Sequence, residues 1–190
     1  AQANLCVMHS MGFCAFVDPT KAFQCFQQAA AQDNLLGMYN TGIAHARGEG
    51  TPYNPDRALT YFKQAADEKF IPAILTLAQW YGDPTRWECD FERAFITYKR
   101  AAKLDDPEGL YRLALYYFDG KVTSKNSRKA IQLLTQAAEM NNIGAQITLR
   151  NYYCHKSPDR RTKNWRPPAI DDREMAIIWN FVLCNTHNAA

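Results

Sequence analysis

The residues best suited to chemistry gather near the start of the chain. Cys6, His9, Cys14 and Cys25 offer thiolates and an imidazole, which are ligand types of a tetrahedral zinc centre. Cys6 and His9 stand three residues apart, so on a helix they share a face. The spacing of the four matches no zinc module, however. His9 also has a counterpart: His45 lies 36 residues later, and Tyr81, Tyr117 and Tyr153 follow at the same step. A slot filled by histidine or tyrosine reads as a half-buried aromatic of a repeated unit rather than as a metal ligand. No metal and no cofactor is therefore expected. A metal-dependent hydrolase built on the first unit is the remote enzymatic alternative.

The other reactive types add little. Cys6 and Cys25 come to similar heights on an antiparallel helix pair, and a disulfide between them requires an oxidising compartment. Both positions read as core, where a free cysteine packs as a small hydrophobe, so free thiols are expected. Cys154 and Cys184 fall at different ends of their helices and are not expected to pair. Cys154 and His155 are adjacent, and adjacent helical residues point apart, which spoils a nucleophile–base pair. The Gly48–Gly50 segment follows a helix rather than a strand and lacks the lysine and hydroxyl residue of a phosphate loop. No acid pair recurs. A non-catalytic protein is expected.

What must position these residues is a repeat. Paired alanines occur at Ala29-Ala30, Ala65-Ala66, Ala101-Ala102 and Ala137-Ala138, a constant step of 36. Ala22, Ala58, Ala94 and Ala130 keep that step, as do Phe26, Phe62, Tyr98 and Leu134. A small residue recurs at Ala1, Gly37, Ala73, Gly109 and Ala145. Such a period marks stacked supersecondary units. Each unit reads as a helix of about ten residues from the small position, a loop rich in Gly, Pro, Asn or Asp, and a second helix. Asp18-Pro19 and Pro55 suit helix entry. Ala58, Phe62, Ala65 and Ala66 fall on one helical face, where alanine permits close approach and the aromatic fills the space beside it.

The segments Ala73–Tyr81, Gly120–Val122 and Lys129–Ala138, with the period of 36, resemble Sel1-like repeats, relatives of tetratricopeptide repeats. The resemblance covers nearly the whole chain. The expected fold is all-α: a right-handed α-solenoid of about five antiparallel helix pairs in one domain, residues 1–190. The units are 1–36, 37–72, 73–108, 109–144 and 145–190, the last with an insertion near 156–168. Glu174–Asn185 continues the second-helix pattern after it, with Ala176 in the alanine slot. The third unit departs from the pattern, lacking the second loop glycine. The chain starts in register with a unit, a start that leaves open whether further units precede it.

The resemblance implies a binding scaffold, and the register shows where to look. The second, fifth, sixth and ninth positions of each first helix are core, so the third and seventh should face a concave groove. They hold Tyr39 and Ile43, Leu75 and Gln79, and Tyr111 and Leu115, with Phe118 one turn on. In the end units they hold Ala3 and Val7, and Ile147 and Asn151. This stripe is apolar and aromatic where a solvated groove could have been polar. It either completes the core or takes an apolar helix or extended peptide from another protein.

Charge marks a second candidate. The net charge is +3, yet Lys156–Pro168 alone carries +4. There Arg160, Arg161, Lys163 and Arg166 flank Trp165, a composition for either a solvated loop or contact with an acidic partner surface. A nucleic-acid-binding surface would be more basic and more widely spread. No apolar run approaches the ~20 residues of a membrane span, and the first residues lack a signal peptide's basic flank and apolar core. The expected partner is thus a protein or peptide, not nucleic acid or membrane. The role is expected to be that of an adaptor or regulator, bacterial and periplasmic in preference to cytoplasmic. An immunity protein that occludes a secreted toxin is the alternative.

Overall fold

The computed structural model of the chain describes residues 18–86 and 89–156, with side chains through Tyr153. The described residues form eight helices and no strand. They are α1 (Pro19–Ala30), α2 (Leu35–Arg47), α3 (Pro55–Asp67), α4 (Ile71–Gly82), α5 (Phe91–Ala102), α6 (Pro107–Asp119), α7 (Ser127–Glu139) and α8 (Ile143–Lys156). The chain divides into two compact halves, Ala1–Thr97 and Tyr98–Ala190, with the boundary inside α5. Cys6, His9, Cys14, Cys184, the basic insertion and Glu174–Asn185 lie outside the described residues.

Local chemistry sets each boundary. The second helices α1, α3, α5 and α7 start on Asp18, Asn54, Asp90 and Asn126, again at a step of 36. Each side chain accepts the amide three residues on, at 3.1, 3.0, 2.9 and 3.0 Å. This satisfies one of the orphan donors of a helix start. The amides of the last three caps donate to the slot-nine carbonyls of His45, Tyr81 and Tyr117, at 2.9, 2.8 and 2.9 Å. One hydrogen bond thus ties each loop back to the helix it leaves. Gly48 and Gly120 end α2 and α6 in the left-handed conformation. The third repeat has Pro84 at that slot. There α4 ends at Gly82, and Thr85 donates through its amide and hydroxyl to Asp83, at 3.0 and 2.6 Å. The Arg86 guanidinium pairs with Asp83 at 3.3 Å and covers the Trp80 ring at 3.6 Å. A side-chain clasp thereby replaces the glycine turn.

The opposite ends of the helices are joined by tighter turns. Asp33, Lys69, Asp105 and Asn141 all adopt positive φ, between 53° and 63°. The residue after each donates its amide to the first alanine of the preceding pair: Asn34 to Ala29, Phe70 to Ala65, Asp106 to Ala101 and Asn142 to Ala137. This is the hydrogen bond of a Schellman ending. Asn34, Asp106 and Asn142 then cap the next helix with their side chains, at 2.8, 2.7 and 2.9 Å. Phe70 makes no side-chain cap; its ring packs on Tyr39 instead, with centroids 5.7 Å apart. Asp and Asn tolerate the left-handed region better than lysine does, and Lys69 is exposed. Lys69→Asn is therefore expected to stabilise the protein by about 0.5–1 kcal/mol. Chemical denaturation at neutral pH measures it.

The alanine pairs stand where helices come closest. A Cβ added to Gly37 would lie 2.7 Å from the Ala29 Cβ, and one added to Gly109 would lie 2.6 Å from that of Ala101. In the first half the core runs through Ala58, Phe62, Ala65, Ala66, Ile74, Leu77 and Ala78, all buried. In the second half Ala101, Leu110, Leu113, Ala114, Leu134 and Ala137 play the same parts. The all-α repeat architecture expected from the period is the one observed.

Candidate partner-binding face

The third and seventh slots do not stand free of the packing. In the first half, Tyr39 on α2 is half-buried. Its ring lies 5.9 Å from that of Phe62, and its hydroxyl meets the Thr76 hydroxyl of α4 at 3.3 Å. It therefore joins one first helix to the next while keeping part of its ring open. Ile43 on α2 and Leu75 on α4 are half-buried, and Gln79 on α4 is exposed. In the second half, Tyr111 on α6 is half-buried and crosses to α8, where a Cβ on Gly144 would fall 2.9 Å from two of its ring carbons. Glycine at 144 makes that approach possible. Leu115 is half-buried, and Phe118 packs on Tyr152 with centroids 5.5 Å apart. Glu108 braces this region: Arg112 donates to one carboxylate oxygen at 2.6 Å and Asn142 to the other at 3.0 Å.

Each half thus places an aromatic third-slot residue as a strut between successive first helices, with aliphatic side chains beside it. The strut contacts were not legible from register alone, because spacing along one helix says nothing about how near the neighbouring helix lies. Ile147 keeps the third slot of α8 and is 43% exposed, while Ile143, one turn earlier, is 70% exposed. Sequence reasoning passed over Ile143, since it falls just before the recurring small residue. An isoleucine at the entry of an otherwise patterned helix was the available signal.

The residues first suspected of chemistry fare differently. Among the described residues, no three of His, Cys, Asp and Glu gather as a metal site. Cys25 and Cys89 are free thiols, and Cys25 packs partly buried against Ala22 and Phe26. Gly50, in the segment dismissed as a phosphate loop, has φ of +70°, and an added Cβ would lie 2.0 Å from the Pro19 carbonyl oxygen. Its role is close backbone contact with the start of α1. His45 is 2% exposed, deeper than the half-buried aromatic expected. Phe23 meets it edge-on with centroids 5.2 Å apart, and Tyr61 stacks on it at 6.0 Å. No described helix is long and apolar enough to cross a membrane.

The profile of the Sel1 repeat matches residues 1–34, 35–70, 72–106 and 107–142. Among solved structures, the chain resembles a Sel1 repeat protein from Oxalobacter formigenes, with a TM-score of 0.78 and 21% identity, covering 97% of this chain and 71% of that one. It also resembles a protective antigen of uropathogenic Escherichia coli with an SLR fold, at TM-score 0.75 and 19% identity, covering 99% and 38% of the two chains. These likenesses show the fold, an α-solenoid of short helix pairs. Among curated proteins, the chitin synthase regulator SKT5 of Saccharomyces cerevisiae is 25% identical over 142 residues, 71% of this chain. An uncharacterized protein of Neisseria meningitidis is 27% identical over 113 residues, 60% of this chain. The matches span 20% and 23% of the lengths of those two relatives.

Proposed function

The chain belongs to the Sel1-repeat family, whose members are generally protein-interaction scaffolds, and from that premise we propose that it binds a partner protein through the third- and seventh-slot side chains of its first helices. The observation that carries this reading is the partial exposure of that stripe. Tyr39, Ile43 and Leu75 in the first half, and Tyr111, Leu115 and Phe118 in the second, are each half-buried. Half-packed aromatic and aliphatic side chains on a rigid scaffold are suited to burial against an apolar helix or extended peptide. Gln79, exposed beside Leu75, offers a polar contact that fixes register. No catalytic role is assigned to any residue.

Because Tyr39 and Tyr111 also hold helices together, their truncation confounds binding with stability. Leu115→Asp and Gln79→Ala are cleaner probes. Tagged wild type and each variant are used to capture partners from the source cell, and captured proteins are identified by mass spectrometry. A partner recovered by the wild type and lost at least tenfold in Leu115→Asp, with thermal unfolding unchanged, is the expected result. Equal recovery by both proteins would sink the reading. The basic segment with Arg160, Arg161, Lys163, Trp165 and Arg166 is proposed as a second contact, for an acidic surface of the same partner. Deleting 157–167 should then weaken capture at low salt, and unchanged capture would dismiss that contact.

A further inference from the structure

The described chain buries one histidine, and its surroundings favour only the neutral ring. His45 sits on α2 between Phe23 of α1 and Tyr61 of α3, and its Nδ1 is buried with no hydrogen-bond partner. A neutral imidazole can leave one nitrogen without a proton, and an unpaired acceptor is the milder burden. Protonation would place a second N–H there with no acceptor and a positive charge between two rings, and burying an unpaired charge is costly. The charge that acts on the ring from the described residues is the cation of Arg57 on α3, and burial and Arg57 both disfavour protonation, against a favourable hydrogen bond from the ring to the Pro52 carbonyl. Carboxylates of the neighbouring segments are engaged elsewhere. Asp18 pairs with Lys21 at the start of α1, and Glu49 of the loop pairs with Arg47 of α2. Tyr61 is the other titratable group against the ring.

The same residue anchors the loop. Its carbonyl accepts the Asn54 amide at 2.9 Å, and the preceding turn holds the Gly48 and Glu49 amides on the Ala44 carbonyl. Tyr81 and Tyr117 fill this slot in the following repeats, so the histidine introduces a proton-dependent group where the fold itself accepts one that stays neutral. We propose that His45 is a proton-sensitive latch: in mild acid its protonation expels the ring from between Phe23 and Tyr61 and frees the loop 48–54 from α1. Its folded affinity for a proton is lower than in the unfolded chain, where the ordinary value is 6.5. The stabilisation is therefore complete above that value and is lost as pH falls below it.

The test is equilibrium denaturation of the whole chain at pH 7.5, 6.5, 5.5 and 5.0, for wild type, His45→Tyr and His45→Phe. The wild-type midpoint is expected to fall between pH 6.5 and 5.0, with most of that fall absent in both variants and protection of the Asn54 amide lost over the same range in wild type. An equal fall in the variants, or a flat wild type, overturns the latch. Should both variants fail to fold at pH 7.5, NMR titration of the His45 ring in wild type decides. A midpoint at or above 6.5 overturns the proposal, and one below it supports it.

Discussion

Replacing Phe62 with alanine is expected to destabilise the first half by about 3–5 kcal/mol, near the upper end for loss of a buried aromatic. The ring is fully buried, with Trp80 edge-on and Tyr39 tilted against it, both at 5.9 Å between centroids. The cost of such a cavity depends on whether neighbours can collapse into it. Here they are poorly placed to do so. Gly42 faces the ring without a side chain: a Cβ there would lie 2.7 Å from a ring carbon. Ala58 and Ala65, on the same face of α3, have nothing longer than a methyl to move. Tyr39 is held at its hydroxyl by Thr76, so its ring cannot swing inward without losing that contact. Urea denaturation monitored by circular dichroism measures the loss. A cost under about 1.5 kcal/mol would mean that α2 slides toward α3 and that the close packing described above is not rigid.

The second large effect is the reverse operation. Ala101→Leu is expected to cost about 1–3 kcal/mol by overpacking. Ala101 is fully buried, and Gly109 opposes it so closely that even one added carbon on the glycine would fall 2.6 Å away. Three further carbons at Ala101 have no volume to enter, so α6 must be pushed from α5 or the turn at Asp105 must yield. The carbonyl of Ala101 accepts the Asp106 amide at 3.3 Å, so displacing the helix also strains the turn. Ala73 and Ala145 occupy the glycine's slot in other repeats, which means that one carbon is accommodated there by a slightly wider approach. Gly109→Ala should therefore cost clearly less than Ala101→Leu. Equal costs would locate the strain at the turn rather than between the helices.

These two residues also show what the sequence could disclose. Phe62 and Ala101 were identifiable as core because they recur at a step of 36, and recurrence at helical spacing fixes the buried face without knowledge of the neighbour. The Asp and Asn caps at 18, 54, 90 and 126 follow the same step and were equally readable. Distances between helices were not. Gly50 against Pro19, Gly144 beneath Tyr111 and the third-slot struts depend on how closely two chain segments approach, and each glycine looked like loop or helix filler. Lys69 was hidden for another reason. Lysine has no preference for a left-handed backbone, so only the turn's repetition at Asp33, Asp105 and Asn141, once seen in three dimensions, assigns it. The candidate face was legible as a set of slots, but not in its division between strut and open surface.

At the turns that follow the alanine pairs, two or three residues, one of them left-handed, separate the end of one helix from the cap of the next. Such a joint has no spare length. One inserted residue would turn the following helix by roughly 100° about its axis and carry its apolar face away from the alanines. The loops at 48–54, 83–90 and 120–126 are different: their caps are tied back by one backbone hydrogen bond, and between the ties the chain takes dissimilar paths, by glycine turn or by the Asp83–Arg86 clasp. Growth and sequence drift are therefore channelled to one class of connection. A repeat chain built this way can vary that edge while its register stays locked at the other.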